Sequence, residues 1–258
     1  HIKWAALLKR ADQLDCEFIA TGHYAVMNEL YGRRFISKGL DTNKDQSYVL
    51  WGLKQEFLKR SIFPIGGFHK PDIRQMAFDR GYEKLSKKAE SYEICFVPDN
   101  DYRGFLKRRL PNIENELDGG LFVNSKGEVL GKHKGYPFYT VGQRRGLGMA
   151  FGEPMFVSTI DPETNTVVLG LEHELLRNGM RVKGVNLMKY AELKPDMEAL
   201  TKIRYKDDGA LATLNQVGDD VFVEFHANVK GIAPGQSAVF YEGNDLLGGG
   251  IIQSGSIN

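Results

Sequence analysis

Cysteine is scarce. Two residues, Cys16 and Cys95, among 258 exclude a disulfide framework and a four-cysteine zinc site, and they read as reduced thiols of a cytosolic protein. Net charge is nearly absent. The 34 Lys+Arg against 33 Asp+Glu leave +1, which excludes a histone-like polycation and confines nucleic-acid binding to a local patch. No apolar run approaches the ~18–20 residues of a membrane-spanning helix. No signal peptide, P-loop, Rossmann glycine fingerprint or zinc spacing occurs, nor any repeat or low-complexity tract. Glycine is plentiful instead: 29 residues, well above the usual ~7%. They follow no Gly-X-Y period, so they serve turns and close backbone approaches. At 42% apolar the chain can bury a sizeable core, and its length suggests about two domains.

The pattern is α/β first and β afterwards. Trp4, Leu7, Leu8, Ala11 and Leu14 fall at helical spacing. The run Glu17-Phe18-Ile19-Ala20 reads as a buried strand ending in a glycine-containing loop, the place where open α/β sheets bind ligands. Residues 45–60 read as helix. So do 71–80, with Pro71 in the first turn and Gly81 as the left-handed stop, and the basic segment 101–110. Beyond about residue 115 short alternating runs take over. Phe156–Ile160 and Thr166–Leu169 read as a hairpin. Strands recur at 181–186, 199–206, 210–217, 220–226, 236–241 and 246–252, which fits a small β-barrel. Within 201–206 the alternation places Lys202, Arg204 and Lys206 on one face.

Four segments could carry chemistry. Thr21-Gly22-His23-Tyr24 is either a plain turn or a place where Gly22 admits a nucleotide and His23 meets an anionic or base partner. The loop Gly39–Tyr48 enters a helix, so Asn43 or Asp45 caps it, or its N-terminus and Lys44 attract phosphate. Cys95, between Ile94 and Phe96, is a buried inert thiol or a nucleophilic, sulfur-carrying one. Lys84, Lys87 and Lys88 favour its thiolate, while Glu90 and Glu93 oppose it. Cys16 reads as structural. Residues 131–146 hold Lys132, Lys134, Arg144 and Arg145 and no acid. Tyr136, Phe138 and Tyr139 lie between them. That mixture suits single-stranded RNA through phosphate contact and base stacking, or it is a solvated loop with a few core aromatics.

An ordered set of segments carries a resemblance. They are Ala20-Thr21-Gly22-His23-Tyr24-Ala25, Gly39-Leu40-Asp41 through Asp45-Gln46-Ser47-Tyr48, Ile94-Cys95-Phe96, Tyr139-Thr140-Val141-Gly142-Gln143-Arg144-Arg145-Gly146-Leu147-Gly148, Pro234-Gly235-Gln236-Ser237-Ala238-Val239-Phe240-Tyr241 and Gly248-Gly249-Gly250-Ile251-Ile252. Together they resemble the tRNA-specific 2-thiouridylases, the MnmA/TrmU family. The resemblance implies α/β plus β architecture: the C-terminal part of an ATP-pyrophosphatase-type α/β domain (1–110), a small central domain (111–175) and a C-terminal β-barrel (176–258). It implies ATP, with Mg2+, adenylating the 2-oxygen of the wobble uridine, and a cysteine persulfide then supplying sulfur. A second cysteine nearer the N-terminus assists release, and a disulfide bond belongs to the implied features. Implied partners are the tRNA anticodon stem-loop and a sulfur donor such as a cysteine desulfurase or relay protein, with no membrane and a cytoplasmic setting.

Carried over by position, Cys95 matches the persulfide-bearing cysteine and Gly22 the glycine beside ATP. His23, Lys44, Asp45, Gln46, Arg204, Tyr205 and Gln236 match tRNA-contacting positions. Two features depart from the family pattern. The Ser-Gly-Gly-Val-Asp-Ser phosphate loop and the early Asp-x-x-Cys motif are absent, which, with His1 opening directly in helical pattern, predicts a fragment inactive by itself. The family's Asp-Ser-Thr-Gly-Ile-Cys is replaced by Glu90-Ser91-Tyr92-Glu93-Ile94-Cys95. A non-catalytic RNA-binding protein and another ATP-pyrophosphatase enzyme are the alternatives.

Overall fold

The computed structural model describes residues 2–88, 97, 101–117 and 119–254. Chain order begins with α1 (Ile2–Gln13), β1 (Ile19–Ala20), β2 (Ala25–Leu30), β3 (Arg33–Lys38), α2 (Gln55–Leu58), β4 (Ser61–Ile62), α3 (Lys70–Asp79) and α4 (Glu83–Ser86). Next come α5 (Tyr102–Arg109), α6 (Ile113–Leu117), β5 (Gly120–Val123), β6 (Val129–His133), β7 (Phe156–Asp161) and β8 (Thr166–Gly170). The last elements are β9 (Leu176–Leu187), β10 (Met197–Lys202), β11 (Ala210–Val217), β12 (Asp220–Lys230), β13 (Ser237–Glu242) and β14 (Asp245–Ser254). Among the described residues no helix is long and apolar enough to cross a membrane.

The chain divides into two compact units. One comprises His1–Lys88, Asn178–Ala227 and Pro234–Asn258; the other comprises Ala89–Arg177 and Asn228–Ala233.

In the first unit, α1 buries Trp4, Leu8 and Ala11 at i, i+4 and i+7, and the Trp4 indole donates to Ser61 Oγ at 2.8 Å. Parallel β1 and β4 pair Ile19 with Ser61 and Ala20 with Ile62. The hairpin β2–β3 turns on Tyr31 (φ +50°) and Gly32 (φ +74°), the doubly left-handed geometry that suits the twist of antiparallel strands. A six-stranded barrel closes in the order β13-β10-β11-β12-β9-β14, with β14 pairing back onto β13. The hairpin extends that sheet through β3: Ser37 registers with Asp245, and Lys38 N donates to Asn244 O at 2.9 Å.

This extension explains the unbroken apolar run Ala238-Val239-Phe240-Tyr241, every residue of it buried. Alternation sends the two sets to opposite faces. Val239 and Tyr241 join the core formed by Trp4, Phe35, Tyr48, Leu50 and Leu58. A strand covered on both faces needs no polar side. Close approach also accounts for the glycine triplet of β14: a Cβ on Gly249 would stand 3.0 Å from Trp51 Cγ and 2.7 Å from Ala238 O.

Two expected elements differ. Residues 45–60 are not one helix but a 3-10 turn, Ser47–Leu50, followed by the short α2. Asn186 Nδ2 donates to the carbonyls of Trp51 (2.7 Å) and Leu53 (3.0 Å), taking acceptors a continuous helix would use. The strand expected over 199–206 ends at Lys202. Asp207 Oδ2 accepts from Ile203 N at 3.0 Å and Asp207 N donates to Arg204 O at 3.2 Å, so the chain turns. Lys202, Arg204 and Lys206 therefore do not share a strand face.

In the second unit the sheet order is β6-β5-β8-β7, with β5 and β8 parallel. The hairpin β7–β8 forms as its pattern predicts. Phe122, fully buried, contacts His133, Tyr139 and Phe151 at ring distances of 5.0, 5.2 and 6.0 Å. Phe138 and Tyr139 belong to this core, and Tyr136 packs against it. The aromatics interleaved with the cations are thus core residues, not a stacking platform for bases.

Candidate functional site

Two carboxylates shape the loop from Gly39 to Gln46. Asp41 accepts from Asn43 N at 3.2 Å and from Lys70 N at 2.9 Å. Asp45 Oδ1 accepts from Gly39 N (3.0 Å) and Ser47 N (3.1 Å), and its Oδ2 accepts from Ser47 Oγ (2.8 Å). Gln46 clasps the backbone of Tyr24: its N–H donates to Tyr24 O at 2.9 Å and its Oε1 accepts from Tyr24 N at 3.1 Å. The turn Ser47–Leu50 has Gln46 at its N-cap and no side-chain cap bond, so neither Asn43 nor Asp45 caps it; Asp45 instead ties Gly39 N and Ser47 N together within the loop. The amides of Gly39 and Ser47 are thereby occupied, so this turn does not present the free helix terminus expected for phosphate. Lys44 is half-buried beside them.

The barrel meets this loop. Tyr205, 44% exposed, does not share the packed face of Ile203. Its hydroxyl donates to Asp45 O at 3.0 Å and its ring lies 5.9 Å from that of Tyr48. The Tyr48 hydroxyl donates to Ser237 O at 2.9 Å, and Trp51 Nε1 donates to Ser237 Oγ at 3.0 Å. Tyr241 OH and Ser47 Oγ are 3.0 Å apart. Gln236, next to Ser237, is exposed, its carbonyl accepting from Ile252 N at 2.8 Å. The fold thus gathers Lys44-Asp45-Gln46, Arg204-Tyr205 and Gln236 from three distant stretches of chain.

Charge on this surface is mainly positive. Lys38 Nζ stands 4.7 Å over the Tyr241 ring. Burial and then the neighbouring Lys202 pull its pKa down, against Asp45. Tyr48 is pushed up to about 12 by burial and Asp207, with Arg204 opposing. Burial and Asp45 raise Tyr205, opposed by Lys44. Both stay protonated as hydrogen-bond donors. Sequence reasoning passed over Ser47, Tyr48 and Tyr241 as site-forming residues, and Lys38 and Lys202 as a pair. A Cβ at Gly39, beside Lys38, would stand 2.9 Å from Tyr24 O, a close approach that only the fold reveals.

Among the described residues, His23 is joined to this cluster through its neighbour Tyr24, whose backbone Gln46 clasps. Its Nδ1 lies 2.9 Å from Thr21 Oγ1, and its ring lies 5.4 Å from that of Trp4 and 6.0 Å from that of Phe63. Burial, then Lys3, lowers its pKa from 6.5 to about 4. The ring is neutral at physiological pH and suits a base or hydroxyl rather than a charge-to-charge phosphate contact. Because the folded value lies below the unfolded one, the unfolded chain binds the proton first as pH falls. Stability is expected to drop between about pH 6.5 and about pH 4, by at most ~3 kcal/mol before solvent screening, and then to level off. Urea denaturation across that range should show a shallower drop in His23→Phe. An identical profile in both proteins contradicts this.

Gly22 is exposed, and a Cβ there would meet only Ile65 Cδ1 at 3.8 Å. Among the described residues no neighbour requires a glycine at that position.

Residues 1–99 match a family model described as the tRNA methyl transferase HUP domain, 103–171 the tRNA methyl transferase PRC-barrel domain, and 177–252 the aminomethyltransferase beta-barrel domain. Among similar curated proteins are tRNA-specific 2-thiouridylases MnmA. That of Cytophaga hutchinsonii is 60% identical over 255 residues, covering 98% of this chain and 69% of the relative. That of Amoebophilus asiaticus is 55% identical, covering 98% and 68%, and that of Salinibacter ruber 54%, covering 98% and 67%. The chain belongs to the MnmA family of tRNA-specific 2-thiouridylases. Two of the domain descriptions speak of methyl transfer, but the MnmA relatives match along nearly the whole chain. HUP, PRC-barrel and β-barrel matches agree with the α/β plus β class. Cys95, expected from the resemblance to bear the persulfide, lies outside the described residues.

Proposed function

We propose that this chain serves 2-thiolation of the wobble uridine of tRNA, as a transferase that modifies tRNA. ATP, with Mg2+, supplies activation of the uridine 2-oxygen as an adenylate, leaving AMP and pyrophosphate as products. The exposed Gly22, free of any steric duty toward the described residues, is proposed to let the backbone approach that nucleotide. Cys95 carries the sulfur. Its persulfide, loaded by a cysteine desulfurase or a relay protein, bonds through the terminal sulfur to C2 as the C2–O bond to AMP breaks. A second thiol then attacks Cys95 Sγ, forming a disulfide and releasing the 2-thiouridine. His23, Lys44, Asp45, Gln46, Arg204, Tyr205 and Gln236 form the tRNA surface. Lys44 and Arg204 face phosphate, Gln236 offers an amide, and Asp45 and Gln46 hold the loop.

The observation that carries this reading is the convergence of those segments: Tyr205 bonds to the Asp45 carbonyl, and Tyr48 links Tyr205 to the neighbour of Gln236. Filter binding of a tRNA transcript over a salt series tests it. Arg204→Ala is expected to weaken binding severalfold and to flatten the salt slope by about 0.7 or less, since a single-stranded loop releases ~0.7 counterion per phosphate. Unchanged affinity and slope would remove the barrel from the tRNA surface.

A further inference from the structure

The second unit has a basic face that the surface above does not use. Its sequence is free of Asp and Glu from Tyr102 to Ile113 and again from Val129 to Gly152. The first stretch carries Arg103 and Arg109 on α5, the second Arg144 and Arg145. The fold brings the two stretches together. Arg103 Nη2 donates to Gly146 O at 3.1 Å, and its guanidinium lies 6.0 Å from the ring centres of both Phe138 and Tyr139.

The loop bearing Arg144 and Arg145 is firmly held. Gly142 N donates to Val157 O at 2.7 Å and Val157 N donates to Gln143 O at 2.9 Å. Gln143 Oε1 accepts from Thr140 N at 3.0 Å, and its Nε2 donates to Arg145 O at 2.8 Å. Gly142 and Gly146 take φ of +87° and +72°, positions costly for any residue with a Cβ. Leu147, 6% exposed, fixes the far end in the core. Between these fastenings Arg144 and Arg145 are exposed. Glu172, whose carboxyl feels Arg144, is already paired with Lys230 at 2.5 Å. A charge that merely keeps a surface wet needs no such fixed placement. Two exposed arginines on a backbone held in this way suit phosphate oxygens, which a guanidinium group can bind in a fork. The nearby rings cannot stack on bases, because Phe138 and Tyr139 are 8% and 9% exposed.

We propose that the second unit grips the sugar-phosphate backbone of tRNA through Arg144, Arg145 and the Arg103 side of α5, and reads no base. This rests on the tRNA reading above. The test uses the whole 258-residue chain, an unmodified tRNA transcript and two RNA duplexes of unrelated sequence, over a salt series. Arg144→Gln with Arg145→Gln is expected to weaken tRNA binding about tenfold or more and to lower the salt slope by about 1–2. The loss should be equal for both duplexes. Both positions changed to Lys should recover most of the slope, because charge rather than loop structure is at stake. Binding that Arg204→Ala weakens and the double Gln variant leaves untouched overturns this proposal alone. A loss confined to one duplex sequence overturns it too, in favour of base reading. If the unsubstituted chain binds no tRNA, the tRNA reading falls and this proposal with it.

Discussion

A strain whose only copy of the gene carries Cys95→Ser is expected to contain no detectable 2-thiouridine derivatives, a loss on the order of 10³-fold or more. A hydroxyl cannot hold a sulfane sulfur, and it is not ionised at neutral pH as a thiolate is. Binding of tRNA should be spared, since charge and loop geometry carry it. Cys16 supplies the comparison. It is exposed, its thiol reaching Leu14 O at 3.6 Å, and Cys16→Ser should leave thiolation largely intact. Mass spectrometry of nucleosides from the two strains decides the matter. Equal losses from both substitutions would move the sulfur carrier elsewhere.

Asp45→Ala is expected to cost ~3 kcal/mol of stability and most of the tRNA affinity. The carboxylate accepts three hydrogen bonds, and its removal strands two backbone amides at a turn that leads into the core. The same turn positions Lys44 and the carbonyl that holds Tyr205. Asp45→Asn is the control. Its amide oxygen can still accept from Gly39 and Ser47, so fold and binding should largely return. Thermal unfolding and filter binding read both effects. If Asp45→Ala unfolds like the parent yet binds poorly, Asp45 touches RNA directly and is not the organiser of the loop.

Much of the fold was legible because the relevant signals are local. The barrel strands show alternation broken by glycine turns, and α1, α3 and α5 show helical spacing or end signals. The misread parts depend on distant partners. Residues 45–60 look helical until Asn186 takes the carbonyls of Trp51 and Leu53. Asp207 ends the strand that alternation would carry to Lys206. The hairpin β2–β3 escaped notice because its turn is Tyr31-Gly32, and a tyrosine with φ of +50° is not the usual Asn-Gly signal. At the site, the resemblance supplied residue names, but spacing alone could not join Asp45 to Tyr205, 160 positions later. Nor could it turn Phe138 and Tyr139 inward, since that follows from their packing around Phe122 and its neighbours.

The sheet that joins β3 to β14 also sets an order of events during synthesis. Ser37 Oγ donates to Asp245 Oδ1 at 2.5 Å across 208 positions of sequence. At about 5–20 residues per second, a ribosome needs roughly 10–40 s to make that interval. Throughout that time the edge of β3 has no partner, and Phe35, Tyr48 and Leu50 lack Val239, Tyr241 and Leu246, with which they share a core. Contacts so far apart in sequence close slowly. The nascent segment that ends in β3 is therefore an exposed strand edge over an unfinished apolar face, the combination most open to mispairing, and it becomes safe only once β14 has left the ribosome.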